Sequence, residues 1–285
     1  MGIKGLYTYL RGYRKNIEPF QVSPKRIGVD ALSLLYKYKG DTKEILSLLK
    51  GLHEAGHKIL LVFDGKPPPE KGPEIQTRKD LKMGAAGQAM LIQDFLNTTD
   101  ATSLDIKARK FLEQSLSRCT TQSWYVTRDM RRAFQDNLWD AGVPYVKSIS
   151  EADDVLVDLY KGGKLDVILS TDMDYLAAGV ECLWTPSKLG QFEEILLSQL
   201  MQGEGVDYEQ FVDVCILCRN VTCEQAFTWM RHYKSMDAIM DSSLKGMHRL
   251  EYSLDMERMK FSHKEAYSRI RPDHLERVRN FLDAL

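Results

Sequence analysis

Two pairs of carboxylates, Glu151 with Asp153 and Asp172 with Asp174, flank a short apolar run in the stretch ISEADDVLVDLYKGGKLDVILSTDMDYLAAG, from Ile149 to Gly179. Carboxylates brought together repel one another unless a cation neutralises them. Oxygen-rich acidic sites without His or Cys suit Mg²⁺ or Mn²⁺ rather than zinc. A hard divalent-metal site is therefore expected here. Cys215, Cys218 and Cys223, followed by His232, could be written as a zinc spacing. The run FVDVCILC is apolar and helical, however, and cysteines three apart on such a run read as core residues.

The elements that must position these acids can be read around them. Ser150 is expected to cap a helix from Glu151 to Tyr160, Gly162-Gly163 breaks it, and Leu165 to Leu169 suits a buried strand. Upstream, Lys25 to Val29 enters a strand with Asp30 at its carboxyl end. Asp41 caps a helix with Glu44 in its first turn, Ile45, Leu48, Leu49 and Leu52 form its apolar stripe, and Gly56 stops it. Lys58 to Phe63 is a continuous apolar run, as expected of a strand covered on both faces, and Asp64 follows it. Val143 to Val146 supplies a further strand before Glu151. Strands ending at Asp30, Asp64, near Glu151 and near Asp172 would all deliver an acid to one edge, where open parallel sheets place their ligands. One such Asp would mean little, because Asp is a common turn and cap residue. Together they predict an α/β fold with a mainly parallel central sheet flanked by helices.

From Lys66 to about Gln122 the strand pattern disappears. Pro67-Pro68-Pro69, Gly72 and Pro73 lead into helical stretches at Glu74 to Leu96 and Leu104 to Leu116, separated by a polar break. Lys66, Lys71, Arg78, Lys79, Lys82, Lys107, Arg109, Lys110 and Arg118 make this insertion rich in cations. Singly, each reads as part of a solvated face; beside an acidic metal site, the set suits a polyanion whose phosphates meet Lys and Arg. Arg128 to Trp139 forms the next helix, Val180 to Trp184 and Gly190 to Ile195 read as strands, Asp207 to Cys218 as a helix, and helices with many basic residues follow from Val221. The 285 residues carry a formal charge of −1, in which an acidic pocket and basic surfaces cancel. No apolar run approaches a membrane span and no secretion signal opens the chain, so a soluble intracellular protein with no membrane partner is expected. The Met1-Gly2 start lacks the Ser or Thr at position six that myristoylation asks for, since Leu6 stands there. An odd number of cysteines, five, fits reduced thiols.

At MGIKGL, GVDALSLLY, VFDGKPP, SEADD and STDMDYLAAG, in that order, the chain resembles the flap endonuclease family of structure-specific 5′-nucleases. The resemblance covers about residues 1–80 and 123–220 by motif. It implies a PIN-like nuclease fold, with a core over residues 1–220 that includes a helical arch at about 66–122, and a reduced helical C-terminal lobe over 221–285. It also implies Mg²⁺ or Mn²⁺, two ions in number, on Asp30, Asp64, Glu151, Asp153, Asp172 and Asp174. Lys71 and Arg78 match the catalytic cations that act on the scissile phosphate. Gly2, Tyr36 and Arg128 fall on the substrate side, Tyr36 as an aromatic that stacks a base. The implied reaction is hydrolysis of phosphodiester bonds at single-stranded or flapped 5′ ends of DNA or RNA, by a monomer; the family suggests nuclear residence.

Departures from the pattern are equally specific. Where the family reads Gly-Ser-Asp-Tyr with a further metal acid, this chain has Arg219-Asn220-Val221-Thr222, so one ion is expected to be weakly held. The Gly-rich helix-turn-helix that grips duplex phosphates is missing after Cys223, and Asp153 stands where a Glu is usual. The sequence has no Gln-x-x-Leu-x-x-aromatic-aromatic tail for sliding-clamp binding. A second reading is a nuclease-derived scaffold with a decayed metal site; the retained acids favour the enzyme, because a scaffold has no physical need for their repulsion.

Overall fold

A computed structural model describes residues 3–98, 104–187 and 191–242, and these fall into two compact units, one of residues up to Lys66 and from Arg132 onward, the other Pro67–Arg131. In chain order the main unit opens with helix α1 (Leu6–Tyr9), strand β1 (Lys15–Ile17), strand β2 (Arg26–Asp30), helices α2 (Ala31–Lys37) and α3 (Thr42–Glu54), and strand β3 (Lys58–Phe63). The second unit holds helices α4 (Gly72–Leu96) and α5 (Ile106–Ser123) and the start of α6 (Arg128–Asp140). The main unit resumes along α6 and continues with β4 (Tyr145–Lys147), α7 (Ala152–Lys161), β5 (Val167–Leu169), α8 (Asp174–Ala177), β6 (Cys182–Pro186) and β7 (Phe192–Leu196). It ends with α9 (Leu197–Glu204), α10 (Tyr208–Leu217), α11 (Cys223–Tyr233) and α12 (Met236–Asp241).

The seven-stranded sheet runs β1-β7-β6-β5-β2-β3-β4. Strands β6, β5, β2, β3 and β4 are parallel neighbours, while β7 and β1 close one edge antiparallel. The chain runs outward from β2 through β3 to β4, then returns to the other side of β2 as β5. That reversal makes the β2–β5 crevice the topological switch point, where open parallel sheets bind ligands at the carboxyl ends of their strands. The central strands are buried on both faces, Ile27, Val29, Leu60, Leu61, Val62, Val167, Ile168 and Leu169 among them, which is why they read as continuous apolar runs. The mainly parallel α/β architecture expected from the sequence is present. Strand β1 and helix α9 carry no such signal: β1 is three residues long with one buried side chain.

Local chemistry accounts for the helix boundaries. Asp41 accepts hydrogen bonds from the Lys43 and Glu44 amides at 3.1 Å, satisfying amides at the start of α3, whose stripe of Ile45, Leu48, Leu49 and Leu52 is buried. Asp207 with Gln210, and Thr222 with Gln225, form reciprocal capping boxes at the starts of α10 and α11. Helices α11 and α12 pack into the core of the main unit. Phe227 stacks on Tyr9 with ring centroids 4.9 Å apart. The buried Glu204 carboxylate accepts hydrogen bonds from Tyr9 at 3.0 Å, Tyr13 at 2.9 Å and Arg231 at 2.6 Å, tying α1, α9 and α11 together. Residues 221–242 are thus continuous with the core; the rest of the expected lobe lies outside the described residues. In the second unit, α4 and α5 pack at Ala85 and Cys119, with the Cys119 thiol 3.6 Å from the Gln88 carbonyl. Both that unit and α5 extend beyond the expected limits, to Arg131 and Ser123.

His57 follows α3 and is buried, its ring edge-on to Trp184 at 5.6 Å. Its Nδ1 accepts from the Lys25 amide at 3.0 Å, and its Nε2–H donates to the Pro19 carbonyl at 3.1 Å, which fixes a neutral tautomer. Burial foremost lowers its pKa, with the Lys25 charge adding to this and the Pro19 carbonyl opposing it. The unfolded chain therefore takes up more protons than the folded one as pH falls. The stabilisation is complete above the unfolded value of about 6.5 and is lost on acidification. In urea unfolding between about pH 7.5 and about pH 5.5, wild type should lose stability more steeply than His57→Gln, the excess slope staying below about 1.4 kcal/mol per pH unit. Equal slopes would show that His57 takes its proton without opening the fold.

Candidate active site

The acids gather at the carboxyl edge of β4, β3, β2 and β5. Asp30 is the last residue of β2, Asp64 follows β3, Glu151 and Asp153 open α7 after β4, and Asp172 and Asp174 follow β5. Asp30 is only 7% exposed. It also caps α2: Oδ1 accepts from the Ser33 amide at 2.9 Å, and Oδ2 accepts from the Ser170 hydroxyl at 3.0 Å. Burial, then the charges of Asp153 and Asp64, push its carboxyl well above the usual carboxylate range. Asp64 and Asp153 are therefore close enough for their charges to act on Asp30.

Asp64 and Asp174 are set by donors from other segments, and Asp172 by an amide of its own turn. Asp64 accepts from the Ala152 amide at 2.8 Å and so caps α7 from a different strand. This corrects the expectation for Ser150. Glu151, not Ser150, is the N-cap residue and makes no side-chain cap bond, while Ser150 donates its amide to the Ser148 hydroxyl and its carbonyl accepts from Gly65. Asp172 accepts from the Asp174 amide at 3.1 Å, and its own amide donates to the Ser170 hydroxyl at 3.1 Å. Asp174 accepts from the Ile3 amide at 3.1 Å, which pins the described start of the chain to the site.

Sequence reasoning missed a polar layer beneath these acids. Ser33 and Thr171 exchange hydrogen bonds, hydroxyl to hydroxyl at 2.8 Å and Thr171 amide to Ser33 hydroxyl at 2.7 Å, locking α2 to the turn after β5. Tyr175 is buried at 2% exposure, and its hydroxyl donates to Asp153 at 2.9 Å and reaches Asp30 at 3.5 Å. Burial, then Asp153, Asp30 and Asp172, raise its pKa, so the phenol keeps its proton. The signal available was the polar pattern of Ser170-Thr171-Asp172 and Asp174-Tyr175 around the apolar strand, whose partners are distant in sequence.

All donors in this cluster are oxygens, and burial first, then repulsion from Asp153 and Asp64, raises the Asp30 carboxyl, a set that fits a hard divalent cation. Among the described residues, no three His, Cys, Asp or Glu side chains stand close enough to form a ready-made cage. Cys215, Cys218 and Cys223 are buried in the hydrophobic core, and His232 lies exposed against Tyr233, so this set is structural.

The XPG I-region family model matches residues 142–220, the segment running from β4 through α10. Flap endonuclease 1 of Xenopus tropicalis is 27% identical, with 76% of this chain and 61% of that protein covered. The Phytophthora infestans homologue is also 27% identical, over 85% of this chain and 69% of that protein. The catalytic core of Rad2, solved in complex with DNA substrate, shares the fold at a TM-score of 0.61 and 14% identity, covering 99% of this chain and 94% of that one. The Methanococcus jannaschii flap endonuclease does so at 0.57 and 16%, over 99% and 92%.

The chain is similar to the flap endonucleases in sequence and fold.

It spans 61% of the length of the Xenopus tropicalis relative. Among the residues assigned from the family motifs, Asp30, Asp64, Glu151, Asp153, Asp172 and Asp174 share one sheet edge. Tyr36 sits on α2 and is 41% exposed, so it is not a core aromatic. Lys71, Arg78 and Arg128 belong to the second unit; Lys71 immediately precedes α4, Arg78 pairs with Glu74 at 2.5 Å on α4, and Arg128 opens α6. Gly2 lies outside the described residues. Val221, where the family places an acid, packs against the apolar core between α10 and α11.

Gly65 fixes the spacing of the site. Its amide donates to Ser150 at 2.6 Å, and a Cβ there would overlap the Ser148 and Ile149 carbonyl oxygens. Gly65→Ala must therefore push the β4–α7 turn away from β3. We expect a loss of about 1–3 kcal/mol in chemical denaturation, with a larger proportional loss of metal affinity than at a control such as Gly51→Ala, whose Cβ meets nothing within 4 Å. Unchanged stability would show that the turn yields freely.

Proposed function

We propose that this chain is a metal-dependent nuclease that hydrolyses phosphodiester bonds in nucleic acid bearing a single-stranded or flapped 5′ end. The observation that carries the reading is the delivery of Asp30, Asp64, Glu151, Asp153, Asp172 and Asp174 to one edge of a parallel sheet, at its switch point. These residues would hold Mg²⁺ or Mn²⁺, which neutralises phosphate charge and makes water nucleophilic at neutral pH. Two ions with one held weakly is the reading that Val221 favours, since an apolar residue there withholds a ligand from one of them.

The chain's own groups do the rest. Tyr36 offers an exposed ring on which a base can stack. Lys71 and Arg78 supply cations for the scissile phosphate, and Arg128 a further phosphate contact. Arg78 now shares its guanidinium with Glu74, a surface pair that a phosphate can displace at little cost. Ile3 holds Asp174 by a backbone amide, and the family resemblance assigns Gly2 to the substrate side. The source of the nucleic acid, DNA or RNA, is open to direct comparison on matched substrates. A family relationship to flap endonucleases suggests a nuclear setting, and among the described residues no helix is long and apolar enough to cross a membrane. A decayed scaffold would keep a costly cluster of carboxylates without use for it, and is not favoured.

Asp64→Asn and Asp172→Asn test the chemistry. Each retains an oxygen to accept its backbone amide, from Ala152 and Asp174 respectively, so the fold should persist and the metal-free melting temperature should hold or rise as repulsion falls. Single-turnover cleavage of labelled 5′-flap and single-stranded substrates should fall by at least about 10²-fold. Retained cleavage in both variants at saturating Mg²⁺ would remove the acids from the mechanism.

Lys71→Ala and Arg78→Ala separate chemistry from binding. If the two cations act on developing phosphate charge, the cleavage step should slow by about 10²–10³-fold while substrate affinity changes far less. Parallel losses in rate and affinity would make them ordinary phosphate contacts.

A further inference from the structure

We propose that Tyr175 is a positioning residue for the acidic centre, holding the Asp153 carboxylate, and through it the Asp30 side of the cluster, in the orientation that receives a divalent cation. The inference rests on the metal-site reading above. Its basis is a juxtaposition across two elements. Tyr175 lies on α8, one residue after Asp174, and its hydroxyl crosses to α7, donating to Asp153 Oδ1 at 2.9 Å and standing 3.5 Å from Asp30 Oδ2. At 2% exposure, the ring is fixed by the core around it, so its hydroxyl is a stationary donor.

The acids differ in how they are held. Asp30 has the Ser33 amide and Ser170 hydroxyl, Asp64 has the Ala152 amide, Asp172 has the Asp174 amide, and Asp174 has the Ile3 amide. Asp153 takes a hydrogen bond from a side chain, the phenol of Tyr175. Its orientation therefore depends on a group that one substitution removes without touching the backbone. A carboxylate anchored through one oxygen presents the other in a defined direction, and partners of this kind behind a metal ligand typically govern affinity by about 10–100-fold. Because α8 also carries Asp174, the same short helix supplies one acid and aims another.

The test uses the full chain, stripped of metal, with Mn²⁺ as probe in titration calorimetry. Tyr175→Phe keeps the ring and removes the donor. It should weaken Mn²⁺ binding by about 10–100-fold while leaving the metal-free melting temperature close to that of wild type. A double-mutant cycle with Asp153→Asn distinguishes positioning from general loosening: if Tyr175 acts through Asp153, removing the hydroxyl costs little further affinity once Asp153 is neutral. Additive losses would assign Tyr175 a merely structural role and overturn the proposal. Binding by Tyr175→Phe within twofold of wild type would also overturn it, while leaving the metal site itself standing. Absence of Mn²⁺ binding by wild type would instead remove the metal-site reading, and this inference with it. A measurement that needs no disruptive variant places 3-fluorotyrosine at position 175. Its ¹⁹F resonance should shift on Mg²⁺ addition with the midpoint of a matching Mg²⁺ calorimetric titration, and a resonance unmoved at saturation would refute the coupling.

Discussion

Repulsion among carboxylates is the constraint on which this structure turns. Burial, and then the charges of Asp153 and Asp64, raise the Asp30 carboxyl, yet the fold holds these acids on one edge. Fixed donors meet Asp30, Asp64, Asp153, Asp172 and Asp174. Backbone amides serve Asp30, Asp64, Asp172 and Asp174, and hydroxyls serve Asp30 and Asp153. Amides and hydroxyls stabilise an anion without cancelling its charge, so the cluster keeps a net attraction for a cation.

The parallel sheet makes this possible because every parallel strand exposes its carboxyl end on the same edge. The turns after β2, β3, β4 and β5 then lie side by side, and each needs only one or two acids to build a dense anionic centre. Close approach between neighbouring turns sets further limits. Gly65 allows the β3 exit to meet the β4–α7 turn at backbone distance, and the Ser33–Thr171 pair locks the β2 and β5 exits together. Asp64 combines two functions in one side chain, as an acid of the cluster and as the cap that starts α7. Substituting it alters both unless the replacement preserves the acceptor.

The helices beyond the sheet complete this arrangement from behind. Glu204 gathers Tyr9, Tyr13 and Arg231, and Tyr9 stacks on Phe227, so the segment leading from Ile3 is fastened to α9 and α11. Ile3 in turn holds Asp174. A chain region with few obvious chemical motifs, α11, thereby helps define where the first described residues meet the acids. Val221, at the entrance to α11, contributes packing where the family places charge.

Much of this was legible from residue types and spacing. Continuous apolar runs identified the central strands because both faces of a parallel sheet are buried, and an acid after each run marked the edge at which these acids stand. The Asp41 cap was equally local, since a side chain and the amides it satisfies lie within one turn. What lay outside the sequence's reach involved partners far apart along the chain. Ser150 looked like the cap of α7, but the Ala152 amide is taken by Asp64, 88 positions away. Strand β1 has too few apolar residues to announce itself and exists because β7 offers it an edge. Tyr175 reads as an ordinary apolar-helix aromatic until folding brings α8 against α7. Sequence by itself determined which residues could bind a hard cation, because that depends on side-chain chemistry and local periodicity. Only tertiary structure decided how each acid is aimed, because hydrogen bonds between separate turns exist only after the strands have paired.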